Sequence, residues 1–322
     1  MLTFRPFRNA DPPLLAALWR SRADRPCLQQ PVTPELLEQL VFAKLYFDYE
    51  GLIVARDDAR PVGFAHAGFG PNEQLDWISP DAGVTCLILT ASDCDEEAVA
   101  GGLLDRCEEY LKHRGAKSLF GGGVNPMNPF YVSLYGGGDL PGVLDSDAFA
   151  RGAFESRGYR QVERIILMRR DLVGLEPGVD RRQLKIRREM AVEVVPDAHS
   201  TSWWEACVFG EFELTRFHLK SRFGGPAVAT ATFRGTAPGG TAPGDTAAPG
   251  RSVALIDIAV NTEHRRGGLA RFLLHDAFRW LMREGVLSVE LQAFESDAAA
   301  LAVFANLGFR QVEQGGLWRK DV

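Results

Sequence analysis

The feature that most constrains this chain is a repeat held at a fixed offset. Ser146-Asp147-Ala148-Phe149-Ala150 reads like Ser296-Asp297-Ala298-Ala299-Ala300, and Phe154, Gly158, Arg160, Gln161, Val162 and Glu163 recur as Phe304, Gly308, Arg310, Gln311, Val312 and Glu313. Arg169 and Asp171 return as Arg319 and Asp321, so every pair lies 150 residues apart. Register-locked identities in this number mean two copies of one fold, with a period the size of a domain and not of a solenoid unit. Further upstream Leu103, Leu111, Gly115 and Ser118 match Leu273, Leu281, Gly285 and Ser288 at an offset of 170, so the first copy carries about 20 extra residues between Phe120 and Asp147. The Gly and Pro content of that insertion, Gly121-Gly-Gly-Val-Asn-Pro-Met-Asn-Pro and onward, marks a loop. Its aromatics Phe130, Tyr131 and Tyr135 either pin it to its own domain or shape a pocket, and the need of a long ordered loop to bury something favours pinning.

Within each copy the pattern alternates. In the second, Val253 to Val260 is β-rich, then Leu269, Leu273, Ala277, Trp280 and Leu281 recur at helical spacing up to Gly285. A strand over residues 286–293, a helix over 297–307 closed by Gly308, and a terminal strand from Phe309 complete a β-α-β-α-β order, which implies an α/β layer fold. Gly174, Pro177 and Gly178 break the periodicity and put the boundary near residues 173–180, giving domains of 1–172 and 173–322. The low-complexity stretch 236–250, rich in Thr, Ala, Pro and Gly, is expected to be a mobile loop between two strands.

The chain is 46% apolar and 24% charged, as a globular protein is. Its five cysteines form no Cys-x-x-Cys pair; they read as reduced thiols, which suggests a cytoplasmic protein, and no metal site is expected. No apolar run reaches the roughly 20 residues of a membrane span, and no signal peptide is expected. A net charge of −6 with no basic block argues against a nucleic-acid partner. Residues 1–172 hold 18 Lys and Arg against 24 Asp and Glu, whereas residues 173–322 hold 18 of each. The second copy is therefore the better host for an anionic ligand.

The most specific chemical signal is Val260-Asn-Thr-Glu-His-Arg265-Arg266-Gly267-Gly268-Leu269-Ala270-Arg271. A strand delivers the chain to a turn with adjacent glycines and then to the start of an amphipathic helix, so free N–H groups and the positive helix end converge on one spot. Glycines let a pyrophosphate approach the backbone, and Arg265, Arg266 and Arg271 supply charge. Taken alone, the segment also fits a plain strand-to-helix turn with solvated arginines. A Rossmann dinucleotide site would need Gly-x-Gly-x-x-Gly and an acidic residue about 20 positions on, and the sequence has neither in order.

At Arg265-x-x-Gly268-x-Ala270 the sequence resembles the acyl-CoA motif of the GNAT N-acetyltransferase superfamily, Arg/Gln-x-x-Gly-x-Gly/Ala. The likeness covers residues 251–322 closely and, through the repeat, the first half more weakly. Two copies look like the tandem GNAT proteins, of which mycothiol synthase is one. The resemblance implies two tandem GNAT-like domains, each a mixed central sheet flanked by helices, with the first one degenerate. It implies that Ile258, Ala259 and Val260 offer main-chain groups to the pantetheine arm of acetyl-CoA, and that Arg266, Gly267, Gly268, Leu269, Ala270 and Arg271 hold the pyrophosphate.

The pattern also departs from the family. A Tyr that the family often uses to protonate the leaving thiolate is here Phe304, the family's frequent Asn is Asp297, and all six tyrosines lie in the first half. Either solvent protonates the thiolate or the second copy does not catalyse. Candidate bases for an ammonium substrate are Glu290, Asp257 and Glu295, each of which also reads as a solvated or salt-bridged carboxylate. His264 and His275 flank the turn. The first copy's turn, Asp93-Cys94-Asp95-Glu96-Glu97-Ala98-Val99-Ala100, puts Asp95 where Arg265 stands and has no glycine at the position of Gly268, so it should bind CoA weakly or not at all. The expectation is an enzyme that moves acetyl from acetyl-CoA to a small-molecule amine by direct attack in a ternary complex, the first domain walling the acceptor site. The alternative is a non-catalytic acyl-CoA-binding or regulatory module.

Overall fold

The computed structural model describes residues 1–174, 181–235 and 251–322. Most of the expected boundary segment and the whole of the low-complexity stretch 236–250 lie outside the described residues. The first half runs β1 (Leu2–Pro6), α1 (Pro12–Ser21), α2 (Pro34–Leu37), β2 (Leu52–Asp57), β3 (Arg60–Pro71), β4 (Ile78–Thr90), α3 (Glu96–His113), β5 (Ser118–Gly121), β6 (Val143–Leu144), α4 (Ala148–Ser156) and β7 (Arg160–Asp171). The second runs α5 (Arg181–Glu189), β8 (Met190–Val195), α6 (Trp203–Phe209), β9 (Leu214–Ser221), β10 (Ala227–Gly235), β11 (Arg251–Val260), α7 (Leu269–Arg283), β12 (Val286–Phe294), α8 (Ala298–Asn306) and β13 (Arg310–Asp321).

The repeat in the sequence is a repeat of local physics. Asp147 and Asp297 both accept the N–H three residues on, from Ala150 and Ala300, and so cap α4 and α8. Phe154 and Phe304 then turn inward and meet Tyr159 and Phe309 edge to face, with ring centroids 5.1 and 5.8 Å apart. The inward stripes of α3 and α7 superimpose at the 170 offset: Leu103, Leu104, Cys107 and Leu111 bury on one, Leu273, Leu274, Ala277 and Leu281 on the other.

Among the described residues all thirteen strands join one sheet, in the order β1-β2-β3-β4-β5-β13-β7-β12-β11-β10-β9-β8, with β6 lying off this path on β13. The final strands of the two copies are therefore exchanged. β13 fills the gap beside β5, β7 fills the gap beside β12, and the two pair antiparallel with each other. Each half thus completes the other's sheet.

Both copies share one irregularity, and it opens the sheet between two parallel strands. β4 pairs with β3 and β11 with β10 through a bulge, one extra residue in each longer strand: Cys86 between Thr85 and Leu87, Ile256 between Leu255 and Asp257. The parallel neighbours stop pairing at the same level, β4 with β5 at Thr85↔Gly121 and β11 with β12 at Leu255↔Leu291. Beyond it the strands splay, leaving main-chain groups of Ile88 to Thr90 in one copy and Ile258 to Val260 in the other facing a gap. All five cysteines are free thiols, and no helix of the described residues is long and apolar enough to cross a membrane.

Candidate active site

The second copy's gap leads from a glycine-rich turn at the start of α7. A short 3-10 turn, Thr262–His264, is followed by Arg266 at φ 58° and Gly268 at φ 77°, the left-handed region that glycine enters without steric cost. Gly268 is the N-cap of α7 and has no side chain to cover the first-turn N–H groups of Leu269, Ala270 and Arg271, which have no intrahelical acceptor. A Cβ on Gly267 would stand 3.0 Å from the His264 carbonyl oxygen, a tighter approach than most side chains make. These features fit a pyrophosphate. Arg265 and Arg266 are exposed at the rim, and Arg265 Nε donates to the Val260 carbonyl at 3.1 Å.

One contributor to this turn is not apparent from the sequence. Arg182 on α5 donates to the Arg266 carbonyl at 2.5 Å and passes 3.5 Å from where a Gly268 Cβ would be. Its signal is the basic run Arg181-Arg182-Gln183-Leu184-Lys185-Ile186-Arg187-Arg188, adjacent to the turn only after folding. His264 lies exposed beside Glu263, and His275 sits further along α7, held below its ordinary pKa by burial and by Arg271, Arg170 and Arg279.

At its other end the gap opens on a cavity of about 660 Å³. Its floor is the sheet face carrying Arg216, His218, Thr230, Thr232 and Asp257, its sides are Trp204, Glu205 and Phe209 of α6 with Gln292 to Phe294 of β12, and its roof is Val124 to Pro126, Asn128, Asp139 and Leu140 from the first copy's insertion. Asp257 is open to the cavity, and its carboxyl is raised above the usual range by desolvation and by the Glu205 carboxylate, against the pull of Arg216. Glu205 is committed elsewhere: it accepts from Arg216 Nη2 at 2.7 Å and from the Thr201 amide and hydroxyl, both at 2.5 Å. Arg216 also donates to Thr232 Oγ1 at 3.1 Å and to the His199 carbonyl at 2.7 Å. His218, which the sequence did not single out, has a buried Nδ1 with no hydrogen-bond partner and a pKa lowered by burial and by Lys220.

The two principal base candidates do not share this chamber. Glu290 lines a second cavity of about 450 Å³, against Gly137 and 3.7 Å from Arg169, and its charge faces the buried Arg234, which donates to the Gly138 carbonyl. Alternation along β12 turns Glu290 and Gln292 to the same sheet face, but Gln292 stands at the wall between the two cavities and Glu290 beyond it. Glu295 is exposed at the end of β12 and lines neither cavity. Phe304 is buried in the core under α8, 5% exposed, and no tyrosine is among the residues lining the larger cavity.

In the second half a parallel strand pair thus splays above a bulge, with a glycine-capped helix N-terminus at one end of the gap and a carboxylate-bearing chamber at the other. The Acetyltransferase (GNAT) family profile matches residues 185–309. The match covers less than half of the chain, and the fold of the whole chain is similar to that of solved tandem GNAT proteins. A tandem GNAT protein from the clavulanic acid biosynthesis pathway superimposes with a TM-score of 0.68 at 14% identity, covering 100% of this chain and 98% of its own. A GNAT from Sphaerobacter thermophilus gives 0.59 at 16% identity, over 99% and 95%. Among curated proteins, the [Ribosomal protein bS18]-alanine N-acetyltransferase of Escherichia coli (strain K12) is 39% identical over 57 residues, 18% of this chain. The matched stretch spans 38% of that relative's length.

Proposed function

We propose that this protein is an N-acetyltransferase that moves acetyl from acetyl-CoA to a small-molecule amine bound between its two halves. The observation that carries the reading is the splayed strand pair: β11 parts from β12 beyond Leu255↔Leu291, the chamber lined by Asp257 opens there, and the same strand runs on through Ile258, Ala259 and Val260 to the Arg265 to Arg271 turn. Acetyl-CoA supplies the activated thioester. The turn's N–H groups and arginines hold its pyrophosphate, and the unpaired edge of β11 offers main-chain hydrogen bonds to its pantetheine arm.

Asp257 is the better base of the two principal candidates. A carboxylate with a raised proton affinity takes a proton from an ammonium more readily than an ordinary one, and only the free amine attacks. Glu290 instead faces Arg169 and the buried Arg234, sharing their compensation with Asp171 and Asp139. With Phe304 in the core, the departing thiolate takes its proton from solvent, as a modest leaving group can. A chamber roofed by a second domain suits a compact acceptor and not a protein surface.

The test is turnover of acetyl-CoA against a panel of primary amines, followed by thiol release, with wild type and Asp257→Asn. Release that depends on both the amine and Asp257 supports the proposal. Tight binding of acetyl-CoA with no release on any amine would instead make the chain an acyl-CoA-binding module.

A further inference from the structure

The first copy has the same splayed gap as the second, and its contents point to a use for it. Ile88 and Thr90 are the counterparts of Ile258 and Val260 at the 170 offset. Their carbonyls, which in the second copy border the pantetheine path, accept from arginines of the segment after α1: Arg25 Nη1 to Ile88 at 3.2 Å and Arg22 Nη1 to Thr90 at 2.8 Å. Both guanidiniums are nearly fully buried and both are paired. Arg22 reaches Glu96 at 2.6 Å and Asp24 at 3.0 Å, while Arg25 Nη2 donates to Asp147. The gap is filled by charge from the chain's own N-terminal segment.

Asp147 carries the contact onward. Its Oδ2 also accepts the Tyr135 hydroxyl at 3.1 Å, and that hydroxyl accepts the Leu144 amide at 3.0 Å. Main-chain bonds run alongside, from the Gln29 amide to the Leu134 carbonyl at 2.8 Å and from the Gly136 amide to the Cys27 carbonyl at 3.0 Å. The next residues of the same loop are held by the second copy's sheet: Gln292 Nε2 donates to the Asp139 carbonyl at 2.5 Å, and Arg234 donates to Gly138. Asp139 and Leu140 are in turn part of the chamber roof, where Asn128 Nδ2 donates to Asp139 Oδ1 at 2.9 Å.

We infer that Arg25, with Arg22, has turned the first copy's gap into an anchor that positions the roof of the acceptor chamber, so that Arg25 is a positioning residue for the amine. The acceptor part of this inference rests on the function proposed above; the anchoring part does not. A buried guanidinium that spans a strand carbonyl and Asp147 fixes their separation, and lysine, with one donor head and no fork, cannot span both. Loosening the roof should cost acceptor binding while leaving the glycine-rich turn, none of whose residues lines the chamber, undisturbed.

The experiment uses the full chain with Arg25→Lys, and the charge-free pair Arg25→Met with Asp147→Asn. Hydrogen exchange at the Gln29, Gly136 and Leu144 amides should quicken about tenfold or more, exchange in α7 should stay the same, and the acetyl-CoA Kd by calorimetry should be unchanged. With the panel amine that wild type acetylates fastest, the amine KM should rise about tenfold while kcat stays within about twofold. If either variant loses its cooperative melt, Tyr135→Phe, which removes only the hydroxyl joining Asp147 to Leu144, carries the same readouts. Unchanged loop exchange overturns the anchor. Faster loop exchange with an unchanged amine KM overturns the acceptor role, and a fall in acetyl-CoA affinity equal to that for the amine does so too. If wild type acetylates no amine, the proposed activity fails, while exchange and calorimetry still decide the anchor.

Discussion

The two copies place the same backbone around opposite contents. At the start of α7 a glycine at φ 77° leaves the first-turn N–H groups uncovered, with Arg265, Arg266 and Arg271 around them. At the start of α3 Asp95 accepts the Ala98 amide, Glu96 is paired with Arg22 and Asp93 with Arg60, so the helix end is already neutralised from within. The difference continues along the sheet. Asp257 is exposed on the open chamber, whereas its counterpart Leu87 is buried, and beside Leu87 the His66 ring stacks on Phe130 with centroids 4.1 Å apart. Gly68 makes this possible, because a Cβ there would stand 2.8 Å from the Phe130 ring. Under the function proposed above, filling retires the first copy's site, and what fills it braces the second.

This contrast can be tested by giving the second copy the first copy's features. The largest effect is expected at the chamber floor. Asp257→Asn removes the carboxylate that the first copy lacks, and kcat/KM for the amine should fall about 10²- to 10⁴-fold with the acetyl-CoA Kd unchanged. Because burial and Glu205 raise the Asp257 pKa, the wild-type rate should fall with decreasing pH from above the ordinary carboxylate range, and that limb should be absent from the variant's residual rate. An acid limb that persists in Asp257→Asn would move the base to another group, His218 first.

Second comes the turn. Arg265→Asp with Gly268→Ala reproduces the residues at 95 and 98, and calorimetry should show the single acetyl-CoA site of the wild type weakened by about 100-fold, from inverted charge and from a Cβ forced to positive φ. Two equivalent sites in the wild type would end the contrast between the copies.

Third is Phe304, whose ring lies in the core as Phe154 does in the first copy. Phe304→Tyr buries a hydroxyl, and it should lower stability by about 1 to 3 kcal/mol without raising the rate. A gain in turnover at unchanged melting temperature would show that the ring reaches the reacting atoms. A last effect belongs to His66, fully buried with its pKa pushed down to about 3. Between that value and the ordinary 6.5 the unfolded chain binds a proton that the folded one excludes. Stability should therefore fall as pH drops through this window, by at most about 1.4 kcal/mol per unit, and His66→Phe should flatten that slope in urea melts.

Much of this was legible in the residues. The offsets of 150 and 170 and the Arg265-x-x-Gly268-x-Ala270 turn are patterns of short segments, and such patterns survive in a linear reading because each is complete within a few residues. The first copy's acidic turn was likewise readable as hostile to phosphate. The role of the insertion's aromatics was decided the way burial suggested, since Phe130, Tyr131 and Tyr135 all lie in the core.

What the sequence determined, then, is the duplication, the α/β architecture and the glycine-rich turn that starts α7. Only the tertiary structure decided which side chains meet: that the last strands change places between halves, that Asp257 and Glu290 fall in separate cavities, that Arg182 reaches the turn across 84 positions, and that Arg25 reaches Asp147 across 122. The physical reason is that strand exchange, bulge register and loop packing are settled by contacts between residues far apart in the chain, to which the periodicity of any one segment is blind.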